Sequence, residues 1–353
     1  MVVSSCELLL HFRVVLLNER LNMLHDFGME DVLHGLFRRH VLRVLLLSHG
    51  VLPMNDAINL VDLIKDFGND ESCRRYIEAL RWRKGIICPR CEKPATAIAN
   101  RSQYDCDACH YQFSATSGTI FHDTHLPLTK WFLATYLLCE SKKGMSACQI
   151  QRTLGISYKT AWYLCHRIRA AMLEVAPEKL DGTVEIDETY VAGKKRRWRA
   201  KGDVSVVIGI RQRNGDLRLI RAKDAKSKTV QEIIKANVGG HVEVILTDES
   251  AIYPYALDKM QKGLHKTINH TREYAHGDVH TNTVESAFSL LKRGIMGTWH
   301  KVSAKHLPAY LDEMCFRFNN RKNQFLFRDT LTRLILSPNL EYKDLTAKVQ
   351  DAA

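Results

Sequence analysis

The sequence predicts a multidomain α/β protein, on three observations. Apolar residues recur at three- and four-residue spacing between Met54 and Ala176, which is helical periodicity. That stretch is interrupted once, by a segment holding two Cys-x-x-Cys pairs. Beyond Leu180 the pattern changes to short β-branched runs alternating with helical stretches, which marks a mixed sheet with flanking helices.

Composition narrows the functional classes. A chain of 353 residues suits two or three domains of ordinary size, and 45% hydrophobic with 25% charged residues excludes wholesale disorder and a fibrous repeat. Lys and Arg number 51 against 39 Asp and Glu, a net charge of +12, so a polyanion, DNA or RNA, is the first partner to expect. Ten cysteines are too sparse for a disulfide-stapled scaffold and fit a reducing cytoplasm. The longest apolar runs are too short for a membrane helix: Val41 to Leu52 is broken by Arg43 and His49, and Val14 to Leu17 is flanked by Arg13 and Glu19.

Residues 1–53 are leucine-dense, and the first lysine of the chain is Lys65. This is either a separate helical appendage or a stretch read from a start codon placed too early, with Met54 the natural start; the second is the expectation. Residues 54–85 carry two short amphipathic helices on Ile58, Val61, Ile64 and Phe67, then Tyr76, Leu80 and Trp82, with a break near Gly68 to Asp70.

Cys88-Pro-Arg-Cys91 and Cys106-Asp-Ala-Cys109 are separated by fourteen residues. Each pair can place two thiolates on one tetrahedral ion, and two such knuckles close a four-sulfur structural Zn²⁺ site with no position left for catalysis. Tyr104 and Tyr111 to Phe113 alternate as the strands of a zinc ribbon require, so residues 86–125 read as that module. The other cysteines show no ligand spacing.

Residues 126–176 read as a helix-turn-helix. Lys130 to Leu138 forms one helix and Ser146 to Thr153 a second; Leu154-Gly-Ile-Ser157 is a tight turn with Gly at a left-handed position and Ser at an N-cap; Tyr158 to Met172 is the third helix. In such a motif the N-terminal side chains of the last helix lie on base edges, here Tyr158, Lys159 and Thr160, with Arg167 and Arg169 on phosphates. A helical hairpin that merely packs on its neighbours is the plain alternative.

Residues 181–325 carry the candidate chemistry. Thr183 to Val191 alternates as a strand, with Glu185, Asp187 and Thr189 on one face and Glu188 on the other. Strands Val204 to Ile210 and Leu217 to Ala222 follow, joined at Asn214-Gly215, a strong hairpin signal. A helix from about Lys228 to Ala236 leads past Gly239-Gly240 to a strand, Val242 to Thr247, that ends in Asp248. A later helix beginning near Asn282 holds Glu285, with Lys292 two turns along the same face. This order is the ribonuclease H-like arrangement. Three carboxylates converging there can hold two Mg²⁺ or Mn²⁺ ions roughly 4 Å apart for phosphodiester displacement, with no side-chain nucleophile.

At this point the sequence resembles bacterial insertion-sequence transposases of the DDE superfamily, in the insertion sequence fifteen-ninety-five (ISXO-like) group. The resemblance covers roughly Met54 to Asn323, and its marks are CPRC…CDAC with YQFSATSGTIFHDTHLPLTKW, then EIDETYVAGK, LTDES, and HTNTVESAFSLLKRGIMGTWHKVSAKHL. The resemblance implies that Asp187, Asp248 and Glu285 are the catalytic, ion-holding triad, and that Lys292 touches the DNA backbone. Some members carry Asn as the third ligand, which leaves Asn282 as an alternate. It implies double-stranded DNA partners (element terminal repeats and target), a homo-oligomer of at least two copies at synapsis, no membrane, and a cytoplasmic, nucleoid-associated bacterial location. The reaction implied is hydrolysis of one strand to expose a 3′-OH that then joins target DNA. Two alternatives stand beside it: a catalytically silent DNA-binding regulator derived from a transposase, and a structure-selective nuclease of the same fold. Residues 1–53 fall outside the resemblance, and 326–353 read as a tail.

Lys194, Lys195, Arg196 and Arg197 open a basic run to Lys201 with six cations and one tryptophan in eight residues, suited to gripping phosphates and stacking on an end base. His276, His280 and His300 flank the third acid and read as surface or supporting histidines. Trp299 is expected to pack in the core, and Arg317, Asn319, Asn320 and Arg321 to form a polar helix end.

Overall fold

The computed structural model describes residues 58–192, 204–268, 280–300 and 302–347. The chain divides between Pro53 and Met54, and every described residue belongs to the unit Met54–Ala353. The leucine-rich stretch 1–53, the basic run Lys194 to Lys201 and His276 lie outside the described residues.

Helices α1 (Leu60–Asp66) and α2 (Asp70–Arg81) flank the expected break, and their starts are set by Asn59 and Asn69, which cap them: the Asn69 side-chain oxygen accepts from Ser72 N at 2.9 Å. Strands β1 (Ala95–Ala97), β2 (Tyr104–Cys106) and β3 (Gln112–Phe113) form a small antiparallel sheet. Helices α3 (Leu128–Glu140), α4 (Ala147–Leu154) and α5 (Tyr158–Met172) follow. Between α4 and α5, Gly155 adopts φ 59° and Ser157 caps α5 by accepting from Thr160 N at 3.1 Å. The spacing of that turn therefore forms as the sequence implies.

The second half is a five-stranded sheet in the order β6-β5-β4-β7-β8. Strands β4 (Leu180–Ala192), β5 (Val204–Gln212) and β6 (Leu217–Ala222) are antiparallel neighbours; β7 (Val238–Asp248) and β8 (His265–Ile268) run parallel to β4 on its other side. Asn214, at φ 59°, turns the β5–β6 hairpin. Helix α6 (Ser227–Asn237) crosses over between β6 and β7, and the short helices α7 (Tyr253–Ala256) and α8 (Lys259–Gly263) lie between β7 and β8. Strand β7 begins four residues earlier than its apolar run suggests. Gly239 makes this possible, since a Cβ there would sit 2.1 Å from Asp181 Oδ1.

The sheet is covered on both faces. Val184, Ile186, Val206, Ile208 and Ile210 pack with Val230 and Ile234 of α6 and Tyr253 of α7. On the other face Val191 and Val207 pack under α9 (Asn282–Gly294) and α10 (Leu307–Asn319), through Val284, Phe288, Leu291 and Leu311. A π-helical turn, Ile295–Trp299, closes α9, and Trp299 packs edge-on against Tyr310 as expected of a core residue.

Residues 326–336 depart from the tail expectation. Leu326–Leu336 is helix α11, which buries Phe327, Leu331 and Leu334, with Phe327 among the rings of Phe67 and Phe132. The apolar positions 326, 327, 331, 334 and 335 have helical spacing, so the signal was present in the sequence. The last described helix is α12 (Tyr342–Thr346).

Candidate metal-dependent DNA-processing site

The four cysteines come together. The Sγ atoms of Cys88, Cys91, Cys106 and Cys109 all lie within 4.8 Å of one another. Cys88 and Cys109 are 3.8 Å apart and Cys91 and Cys106 3.3 Å, close to the edge of about 3.8 Å of a tetrahedron with Zn–S arms of about 2.3 Å. None is in a disulfide. The backbone N–H of Cys109 donates to Cys106 Sγ at 3.4 Å, a contact that favours a thiolate there. Trp82, Tyr104 and Phe113 pack around the knuckles.

The acidic site lies where β4 outruns β7. Parallel pairing of the two strands ends at Glu185 opposite Leu246, so Asp187 and Glu188 project beyond it just where β7 ends in Asp248. Carboxylate oxygens of Asp187, Glu188 and Asp248 lie within 4.8 Å of one another. This set of hard oxygen donors fits a divalent cation. Burial pushes the Asp187 carboxyl up to about 7; the N–H of Glu188, donating at 2.8 Å, opposes the shift, and the charges of Asp248, Glu188 and Glu285 add to it. Burial also raises Glu188, whose Oε2 accepts from Tyr253 Oη at 2.5 Å.

Glu188 sits on the strand face opposite Asp187, as alternation requires, yet its carboxylate reaches the same cluster. Alternation could not show this; two consecutive acids at the unpaired end of a central strand were the available signal. Glu285 is outside the 4.8 Å set. It stands in the first turn of α9, close enough to press on Asp187, and its Oε1 accepts from Thr281 Oγ1 at 2.9 Å. Helix α9 reaches this position because Gly209, the β5 partner of Asp187, has no side chain: a Cβ there would be 2.6 Å from Phe288 and 2.8 Å from Val284. Asn282 and Lys292 are exposed on the same helix.

The residues expected on DNA divide in two. Tyr158 is 51% exposed, and Lys159 is exposed with its Nζ 4.5 Å from the centre of the Tyr342 ring; Thr160 is half-buried at the start of α5. Arg167 does not reach the surface. Its Nη2 donates to His122 O at 2.7 Å and Asn339 Oδ1 at 2.8 Å, and its guanidinium lies over Trp131 and Tyr163. Arg169 is likewise interior, with Nε 2.6 Å from Glu313 Oε2. The two stand on nearly opposite sides of α5, and both are interior because the helix is buried all round from Leu164 to Arg169, which helical spacing alone does not reveal.

Two family models match the chain, one over each of these regions. A transposase zinc-ribbon domain matches residues 68–112, and an ISXO2-like transposase domain matches residues 179–319. A protein described as uncharacterized in transposable element ISH50 of Halobacterium salinarum is 30% identical over 271 residues, which cover 70% of this chain and 90% of that protein. The chain belongs to the ISXO2-like insertion-sequence transposases. In this transposase the transposase-domain match takes in β4, β7 and α9, and the zinc-ribbon match contains all four cysteines. Among the described residues no helix is long and apolar enough to cross a membrane.

Proposed function

We propose that this transposase binds the terminal repeats of its element, hydrolyses one phosphodiester to expose a 3′-OH, and joins that end to target DNA at the site formed by Asp187, Asp248 and Glu285. The observation that carries this reading is the convergence of Asp187, Glu188 and Asp248 at the end of β7, with Glu285 pressing on Asp187 from α9. Divalent cations bound there, Mg²⁺ or Mn²⁺, would supply activation of the attacking oxygen and stabilisation of the leaving one. The chain's own residues present the oxygens: Asp187 and Asp248 from the sheet, Glu285 from the helix, and Glu188 steadied by Tyr253. Asp187, whose carboxyl burial raises to about 7, would hold such a cation as the carboxylate. The fold reading that goes with this is ribonuclease H-like, supported by the order β6-β5-β4-β7-β8.

DNA recognition falls to two parts. Helices α4 and α5 act as a helix-turn-helix with Tyr158, Lys159 and Thr160 toward bases, and a Zn²⁺ ion on Cys88, Cys91, Cys106 and Cys109 holds the ribbon beside them. Lys292 faces the DNA backbone from the catalytic helix, and Asn282 is the alternate third ligand. The basic run at Lys194, Lys195, Arg196 and Arg197 grips phosphates. Synapsis of two ends calls for at least two copies, working on DNA in the bacterial cytoplasm.

An end-mapped cleavage and strand-transfer assay on the gene's own flanking DNA tests this, comparing wild type with Asp187→Asn in Mg²⁺ and in EDTA. The expected result is ion-dependent 3′-OH ends at one defined flanking sequence, absent in the variant. Tight binding to those flanks without cleavage would replace this reading with the silent regulator, and cutting of branched DNA irrespective of sequence with the nuclease.

A further inference from the structure

Glu185, two residues before Asp187 on the same face of β4, is fully buried at 0% exposed. Its Oε2 accepts from the backbone N–H of Thr283 at 3.0 Å, from that of Val284 at 3.1 Å, and from the Thr283 hydroxyl at 2.6 Å. Its Oε1 is 2.8 Å from Arg213 Nε and 3.5 Å from His280 Nδ1. Arg213 Nη2 also donates to the His280 carbonyl at 3.2 Å. Thr283 and Val284 are the second and third residues of α9, and the helix makes no capping bond from its own N-cap side chain, Thr281, whose hydroxyl goes to Glu285. A strand carboxylate thus satisfies the free N–H groups of a helix start and supplies the negative charge that such a start favours.

We infer that Glu185 is a positioning residue, which fixes the first turn of α9 on β4 so that Asp187 and Glu285 share one ion site. The inference rests on the reading of that site as ion-dependent. The physical reason is the shortness of both arms. Two residues of extended strand, about 7 Å, separate Glu185 from Asp187, and one or two helical residues separate its backbone donors from Glu285. A one-residue slip of α9 would swing Glu285 by about 100° away from the sheet. Arg213 balances the buried charge and ties the β5–β6 hairpin to the same point, with His280 beside it.

The test uses the full-length protein in four forms: wild type, Glu185→Gln, Thr283→Val and Asp187→Asn. Mn²⁺ binding without DNA, Mn²⁺ dependence of strand cleavage, thermal melting and binding to end DNA are measured for each. Glu185→Gln is expected to bind Mn²⁺ about tenfold more weakly, and to need correspondingly more Mn²⁺ for cleavage, while still binding end DNA. Thr283→Val, which removes one bond to Glu185 and keeps the fold, is expected to shift Mn²⁺ binding in the same direction by about threefold. Unchanged Mn²⁺ affinity in both variants, whatever their melting, would overturn the inference; if Glu185→Gln does not fold, Thr283→Val decides alone. If Asp187→Asn binds Mn²⁺ as wild type does, the ion-site reading itself fails, a result distinct from failure of Glu185 alone.

Discussion

Asp187 concentrates the electrostatics of the site in one residue. Burial and three neighbouring acids keep its carboxyl at about 7, so the folded protein holds a proton that the unfolded chain releases near the ordinary value of 3.8. Stability without a divalent ion should therefore fall as pH rises from about 4 to about 7 and stay lower above that. Glu188, raised in the same direction, adds to the effect. Melting curves across this range in EDTA, for wild type and Asp187→Asn, check it: the variant should melt a few degrees higher than wild type at pH 8 and match it near pH 4. Activity moves the other way, because the carboxylate is needed: Asp187→Asn should lose at least about a thousandfold in cleavage, measured on end-labelled DNA. Glu188→Gln keeps the Tyr253 contact within reach but removes a charge, and a smaller loss, about ten- to a hundredfold, is expected in the same assay.

Among the elements, α9 and the zinc ribbon depend on features that a single change can probe. Phe288 and Val284 lie against Gly209, with room for hydrogen and none for a methyl group. Gly209→Ala should cost about 1–3 kcal/mol through overpacking and lower cleavage by displacing Glu285, checked by urea unfolding beside the cleavage assay. The ribbon's strands are three, three and two residues long, too short to hold their shape without an ion. Chelation of Zn²⁺, or Cys106→Ala, should unfold residues 86–113, visible as new proteolytic cuts there and as altered emission from Trp82, which lies 4.8 Å from Tyr104. Most helical signal should survive, since the helices pack elsewhere.

At the scale of the whole molecule, a buried ion network joins the helical region to the half that holds the five-stranded sheet. Glu313 of α10, 0% exposed, pairs with Arg169 of α5 at 2.6 Å and with Arg317 at 3.1 Å. Arg317 also donates to the carbonyls of Ser141 and Lys142 after α3, so the same cation satisfies the end of that helix. Glu313→Ala would leave two guanidinium groups buried without their anion. A loss of about 3–5 kcal/mol in thermal or urea unfolding is expected, against a smaller loss for Glu313→Gln. Helix α11 closes the molecule by returning the chain to the aromatic cluster of Phe67, Phe132 and Phe327. Asn319 pairs both its amide groups with the backbone of Leu217 on edge strand β6. The polar residues at the end of α10 therefore act as structural connectors.

Much of this was legible in the order of residues. Cys-x-x-Cys spacing implies a closed four-sulfur cluster because two residues between thiols are what one tetrahedral ion allows, and the cysteines do converge. Ser157 and Asn214-Gly215 placed their cap and turn because those effects act over two to four residues. The alternation of β4 put Asp187 and Glu185 on one face and Val184 and Ile186 on the other. What sequence could not decide was which polar groups the fold brings inside, since that depends on contacts between residues far apart in the chain. Arg167 and Arg169 looked like phosphate contacts and became core cations only when Asn339 and Glu313 arrived from the other end of the molecule. Glu188 joined the acidic cluster only because β7 stops at Asp248, and Glu185 became the cap of α9 only because Thr283 and Val284, nearly a hundred residues away, leave their N–H groups beside it.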